Sequence, residues 1–220
     1  MIRTAILSMR DDLYGDYHEP RSALSFDWGD WLTTLNIQPI AIPNGSNPSA
    51  ILLDSINPMV LILTGGNDTV AFPNEVGGSV SERRDSTEDG LIHWALDSET
   101  PILGVCRGMH KLNLFFGGTV QPCPGDTAAD HVATTHNVTL HGSFVDWAEA
   151  PALRVNSFHN QCILNDDLAD ELCLGARCQD GVVEALYHPD HPIIAIQWHP
   201  ERDQGQSALC AKLLALLDQR

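Results

Sequence analysis

Pro101-Ile102-Leu103-Gly104-Val105-Cys106-Arg107-Gly108-Met109-His110 decides the fold of this chain. An apolar run ends in Gly-x-Cys-x-Gly, and Lys111 to Phe116 continue with a helical pattern. A strand, a sharp turn and a helix in that order describe a nucleophile elbow, with cysteine in the place that serine takes in many hydrolases. The residue at the apex of such a turn is forced into a strained conformation, and its neighbours two positions away have no room for side chains. Cys106 then sits at a helix N-terminus, whose partial positive charge favours thiolate over thiol. A buried cysteine in a glycine-flanked strand-to-helix turn has the same pattern, so this stretch alone leaves both readings open.

Upstream, Ile2 to Ser8 reads as a buried strand, followed by a polar loop from Met9 to Pro20. Leu24, Trp28, Trp31, Leu32 and Leu35 fall at helical spacing, which predicts a helix over Arg21 to Asn36 with Pro20 in its first turn and its Trp residues in the core. Ile37 to Ile42 and Met59 to Leu63 read as further strands, and Pro48 to Ile56 and Arg84 to Ser98 as helices. Residues Val70 to Ser81 form a loop that could cover a site. This alternation predicts an α/β fold with a doubly wound, mostly parallel sheet of flavodoxin-like type. Its crossovers are right-handed, and its site lies at the carboxyl ends of the strands. Beyond Gly117-Gly118 the periodicity shortens. Val132 to Leu140, Leu153 to Asn156, Val182 to Tyr187 and Ile193 to Trp198 read as strands of an antiparallel excursion in the C-terminal half. Gly205 to Asp218 reads as a closing amphipathic helix, and residues 1–220 as one domain.

The last of those strands ends in Gln197-Trp198-His199-Pro200-Glu201. Proline favours an extended chain, in which residues two apart share a face, so Glu201 can accept from the His199 ring and fix its tautomer. On its own His199 is an ordinary strand-end histidine. Together with Cys106 it has the logic of a Cys-His-carboxylate triad. His159 competes for the base role, but it has no neighbouring Glu and reads better as a wall of the pocket. His131, His136 and His141 invite a metal hypothesis. Five-residue steps, however, put successive side chains on opposite faces of a strand, and there is no Cys pair or His-x-x-x-His to support one. No metal site is expected.

Gly-x-Cys-Arg-Gly with the later Gln-Trp-His-Pro-Glu resembles the class I glutamine amidotransferase superfamily, in particular its γ-glutamyl hydrolase branch. The resemblance extends to Thr64-Gly65-Gly66-Asn67-Asp68, Arg84-Asp85 with Glu88, Leu112-Asn113 with Gly117-Gly118, Asn156-Ser157-Phe158-His159-Asn160-Gln161, and Asp180-Gly181 with Glu184. It implies a cysteine-dependent γ-glutamyl amide hydrolase working through a glutamyl thioester, with Cys106, His199 and Glu201 as triad. It also implies an oxyanion hole from the backbone N–H groups of Gly66 and Arg107. Gly65, Asn67, His110, Asn156, Ser157, His159 and Gln161 are then expected around the substrate. Family members commonly carry Gln where this chain has His110. The stretch from Tyr17 to Leu24, followed by Asp27-Trp28, resembles a small bacterial group that hydrolyses γ-glutamyl-CDP-amidate in capsular phosphoramidate synthesis. On that resemblance Arg10, His18 and Arg21 would meet a diphosphate. The alternative is that His18-Glu19-Pro20 starts a helix and Arg21 is solvated.

A formal net charge of −17 argues against nucleic-acid or anionic-membrane partners. Apolar runs are too short for a signal peptide or a membrane span, and six cysteines without Cys-x-x-Cys spacing suit a reduced compartment, so a cytoplasmic protein is expected. No cofactor is implied. The expected partner is a small γ-glutamyl molecule, nucleotide-linked if the second resemblance holds; a homodimer and a separate synthetase fed with ammonia stay open as alternatives. A γ-glutamyl-polyamine or aminobutyrate hydrolase and a non-enzymatic binding protein are the remaining readings, the last disfavoured by the intact Cys106, His199 and Glu201.

Overall fold

The computed structural model describes residues 3–14, 19–70, 80–123, 131–202, 210 and 212–215. Thirteen strands, five complete α-helices and part of a sixth run through these residues. A nine-stranded sheet is built from β1 (Arg3–Ser8), β4 (Ile37–Ile42), β5 (Val60–Leu63), β6 (Ile102–Val105), β8 (Val132–Leu140), β9 (Ala152–Phe158), β11 (Cys173–Cys178), β12 (Val183–Tyr187) and β13 (Ile193–Ile196). Its order is β4-β1-β5-β6-β13-β12-β11-β8-β9. The pairings from β4 to β13 are parallel, and those from β13 to β9 antiparallel.

The α/β expectation therefore holds, including the antiparallel excursion. Strand residues alternate between two cores. Leu7, Ile62, Leu103, Val105 and Ile196 face one, together with Trp28, Trp31 and Leu32 of α1 (Phe26–Thr34). Ile6, Leu61, Leu63, Ile102 and Ile193 face the other. That second face is covered by α2 (Ala50–Ile56), α3 (Glu82–Asp97) and α4 (Arg107–Phe115). Fully buried strands such as Val60–Leu63 read as continuous apolar runs because helices cover both faces.

Two readings change near the N-terminus. The segment taken as loop and early helix is a hairpin, in which β2 (Arg10–Tyr14) pairs antiparallel with β3 (Glu19–Ala23). Helix α1 begins only after Ser25, whose hydroxyl accepts from the N–H of Asp27. Pro20 lies in a two-stranded ribbon, where a missing N–H is tolerated. In the C-terminal half, β11, the short β7 (Gln121–Pro122) and β10 (Gln161–Cys162), and α5 (Ser143–Ala148) were not anticipated. Residues 71–79 of the proposed covering loop lie outside the described residues, as does most of the closing helix, of which 210 and 212–215 are helical.

An ionic cluster between α3 and α4 sets the loop after β5. Arg84 and Glu88, one helical turn apart, are both buried and 2.8 Å apart, and Arg107 joins Glu88 and Asp85 from α4. Burial alone would raise the Glu88 carboxyl, but the Arg84 and Arg107 charges override it and hold it at about 2. Arg84 also donates to the carbonyls of Thr64, Gly65 (3.1 Å) and Gly66 (2.8 Å). Removing one member of such a cluster strands its partner in the interior. Arg84→Met should lower unfolding free energy by about 3–5 kcal/mol, read from the urea midpoint, whereas Arg83→Met, on the same helix, should change it by less than about 0.5 kcal/mol.

Candidate active site

Cys106 follows β6 and precedes α4 with φ 53° and ψ −107°, the strained apex that the Gly-x-Cys-x-Gly pattern demands. A Cβ on Gly108 would lie 2.1 Å from the carbonyl oxygen of Leu63, so only glycine lets α4 approach β5 this closely. The backbone N–H of Cys106 donates to Ile196 at 2.8 Å, tying the elbow to β13.

His199 follows that strand by three residues. Its Nδ1 lies 2.6 Å from Glu201 Oε1, with both side chains almost wholly buried. The expected contact is present, but the chain carrying it is not extended: Pro200–Arg202 form a 3-10 turn. The Asn156 amide anchors the turn from β9, accepting from the N–H of His199 and donating to its carbonyl, each at 2.8 Å.

His199 and Cys106 polarise each other. Burial alone would raise the Cys106 thiol, but the His199 charge and its hydrogen bond bring it below the ordinary thiol range. Burial would lower His199, yet the Cys106 charge, their hydrogen bond and Glu201 push it up to about 9. Each shift favours a thiolate and imidazolium at neutral pH.

Gly65 packs against this pair, and a Cβ there would stand 2.7 Å from His199 Cε1. Gly66 has φ 85° and lies beside the Arg10 side chain. A small cleft is lined by Arg10, Leu24, Trp28, Gly65, Gly66 and His199, so Trp28 serves core and cleft together.

Other expected contacts divide. Asn67 holds the loop to β2, its side chain exchanging hydrogen bonds with the Asp11 backbone at 2.8 and 2.9 Å. The Ser157 hydroxyl donates to the His131 carbonyl at 2.8 Å, and Gln161 reaches the carbonyl of Val70 at 2.8 Å. Asn156, Ser157 and Asn67 thus use their side chains on the protein's own backbone. His110 is buried; burial first, and the His159 charge second, hold it at about 3, so its imidazole is neutral. Arg21 is exposed and paired with Glu19 at 2.9 Å, and His18 lies outside the described residues.

Gln197, singled out only as part of the motif, brings Nε2 to 3.7 Å from Cys106 Sγ. A buried polar side chain closing an apolar strand was its signal in the sequence.

The parity argument that separated His131 from His136 fails. Ala133 adopts φ 54°, and the β8–β9 register slips between Val132 and Thr134. This bulge adds one residue, so the two histidines share a face with ring centroids 4.9 Å apart. The His136-to-His141 step contains no such bulge.

Among the described residues, no helix is long and apolar enough to cross a membrane. A family model described as Peptidase C26 matches residues 15–201. The glutamine amidotransferase-like protein YvdE of Lactococcus lactis is 36% identical over 155 residues, 64% of this chain and 65% of its own length. The γ-glutamyl-CDP-amidate hydrolase of Campylobacter jejuni is 30% identical over 196 residues, covering 86% of this chain and 85% of that protein. A solved glutamine amidotransferase of Thermotoga maritima superposes with a TM-score of 0.69 over the whole of both chains at 15% identity, a likeness of fold. The elbow, the sheet and these matches agree, and the chain belongs to the Peptidase C26 family of class I glutamine amidotransferase-like proteins.

Proposed function

We propose that this protein hydrolyses a γ-glutamyl amide, with Cys106 as nucleophile, His199 as acid and base, and Glu201 as its orienting carboxylate. The observation that carries the reading is the strained Cys106 beside a His199 fixed at 2.6 Å by Glu201. The thiolate attacks the γ-carbonyl carbon. The His199 imidazolium then gives its proton to the departing amine nitrogen, leaving a glutamyl thioester. Water, deprotonated by the now neutral His199, attacks the thioester, and glutamate and thiolate separate.

The oxyanion at each stage would be met by the backbone N–H groups of Gly66 and Arg107. Support for Gly66 comes from Arg84, which draws the Gly65 carbonyl towards itself. In a trans peptide the N–H of the next residue points the opposite way, so the Gly66 N–H is directed away from Arg84. Each such donor is worth about 3 kcal/mol in the transition state.

For the amine side we favour a nucleotide-linked group of the CDP-amidate type. Arg10 stands in the cleft next to Gly66 and His199, where a guanidinium suits a diphosphate, and the Campylobacter jejuni relative carries that substrate in its name.

Glutamate release should be strongest from γ-glutamyl-CDP-amidate when it is compared with glutamine and γ-glutamyl-aminobutyrate. Arg10→Met should raise KM for the nucleotide substrate alone. Cys106→Ala should lower kcat by about 10⁴-fold or more while leaving substrate binding, measured by calorimetry, intact. Turnover by that variant, or equal use of the three substrates, would reject the corresponding part of the reading.

A second expectation concerns pH. Proton delivery needs the imidazolium, so kcat/KM should fall as pH rises through about 9. Glu201→Gln removes a contact that raises His199, and the alkaline limb should move to lower pH. An unmoved limb would show that Glu201 does not tune the base.

A further inference from the structure

On the antiparallel side of the sheet, four donor atoms surround one carboxylate oxygen, Glu184 Oε1. His136 Nε2 and His159 Nε2 are each 3.4 Å from it, Cys178 Sγ 3.5 Å and His131 Nδ1 3.6 Å. Glu184 is entirely buried, and its second oxygen has no hydrogen-bond partner. The nitrogen separations are long for hydrogen bonds, which run about 2.7–3.2 Å. They do match the edge of a tetrahedral coordination shell. With metal bonds of about 2.0–2.3 Å, tetrahedral ligand atoms stand about 3.3–3.6 Å apart.

One triangle satisfies that requirement on every edge. His136 Nε2 to Glu184 Oε1 is 3.4 Å, Cys178 Sγ to His136 Nε2 is 3.4 Å, and Cys178 Sγ to Glu184 Oε1 is 3.5 Å. The three side chains come from β8, β11 and β12, neighbouring strands of the sheet. Two irregularities aim them. Ladder partners run from Ala176↔Ala185 to Arg177↔Val183, so Glu184 is an extra residue in β12, and the bulge at Ala133 shapes β8. Bulges of this kind re-aim side chains.

The surroundings also suit a cation. His131 and His159 have their outer nitrogens engaged, by Asp180 at 2.8 Å and by the Gln161 carbonyl at 2.9 Å. Those bonds fix the inner nitrogens, His131 Nδ1 and His159 Nε2, both buried and without partners, facing Glu184. Both nitrogens stand 3.4–3.6 Å from the Glu184 carboxylate, farther than a good hydrogen bond and close to the spacing of ligand atoms around one ion. An open cavity lined by His131, Thr134, His136, Cys178 and Asp180 provides the way in.

We propose that His136 Nε2, Cys178 Sγ and Glu184 Oε1 form a binding site for one zinc-class divalent cation, separate from the Cys106 centre, with its fourth position open to the cavity. Imidazole, thiolate and carboxylate together select zinc or cobalt over magnesium or calcium. Binding replaces the Cys178 S–H bond with a sulfur–metal bond, and the proton leaves to water; no electron is transferred. The ion would clip three strands together, beside the strand that leads to His199.

The test is cobalt(II) titration of chelator-stripped, reduced protein. One equivalent should bind with intense tetrahedral visible bands and a thiolate-to-cobalt charge-transfer band in the near ultraviolet, and zinc should displace it. Cys178→Ser should abolish the charge-transfer band, and His136→Asn should weaken zinc by about 100-fold or more, since even outer partners of metal ligands are worth about 10- to 100-fold. Cys173→Ser should leave both unchanged. Thermal unfolding of each stripped variant checks that it is folded. Failure of the folded protein to retain either metal at micromolar concentration would overturn the proposal. So would a bound ion without a thiolate band, which would place it on the His131 and His159 side. A band that survives Cys178→Ser and vanishes in Cys106→Ala would place it at the catalytic pair and equally refute the assignment.

Discussion

The left-handed backbone of Cys106 is the constraint around which the structure is arranged. A non-glycine residue at φ 53° and ψ −107° costs about 1–3 kcal/mol and persists only where its surroundings over-determine it. Here they do. The N–H of Cys106 is held by Ile196, and its carbonyl accepts from Met109 at 2.9 Å and His110 at 3.3 Å, so both sides of the apex are committed to regular structure. Gly108 then sits against the Leu63 carbonyl, closer than any side chain would allow. Because Ile196 belongs to the strand that continues to His199, one segment both holds the Cys106 backbone and brings His199 beside it.

The buried charges between α3 and α4 are costly by the same reckoning. Desolvating Arg84, Glu88 and Arg107 takes several kcal/mol per ion, and apolar residues of similar volume could hold two helices together as well. They could not satisfy the loop after β5. Its carbonyls at Thr64, Gly65 and Gly66 leave the sheet without ladder partners, and the Arg84 guanidinium supplies several donors in one plane. The ionic cluster is explained by the loop it positions more than by the stability it adds.

How much of this was legible in the sequence follows from the range of the forces involved. Buried parallel strands, the elbow and the His199–Glu201 contact rest on local pattern, and each was readable. The β2–β3 hairpin was not, because Arg10 to Ala23 carries no alternation of apolar residues, and Trp28, Trp31 and Leu32 drew the helix boundary too far back. Asn156 was expected at the substrate, whereas its amide closes a pair of hydrogen bonds with the His199 backbone 43 positions away, a partnership that no window of sequence contains. Bulges escape in the same way. Ala133 has no composition that announces φ 54°, yet that one residue reverses the face of everything before it in β8.

That reversal connects the two ends of the sheet. The N–H of Gln197 donates to the Glu184 carbonyl at 2.8 Å, while its side chain reaches Cys106 Sγ. Glu184 therefore faces the donor cluster with its carboxylate and supports the nucleophile's neighbour with its backbone. His159 lies between, its ring 4.7 Å from His131 and its charge felt by Cys106. A cation fixed on β8, β11 and β12 would hold Glu184 in its bulge, and with it the register of β12 against β13. The strand that leads to His199 is paired on one side with β6, where the elbow begins, and on the other with β12, so one backbone hydrogen bond and one strand lie between the cluster and the Cys106–His199 pair.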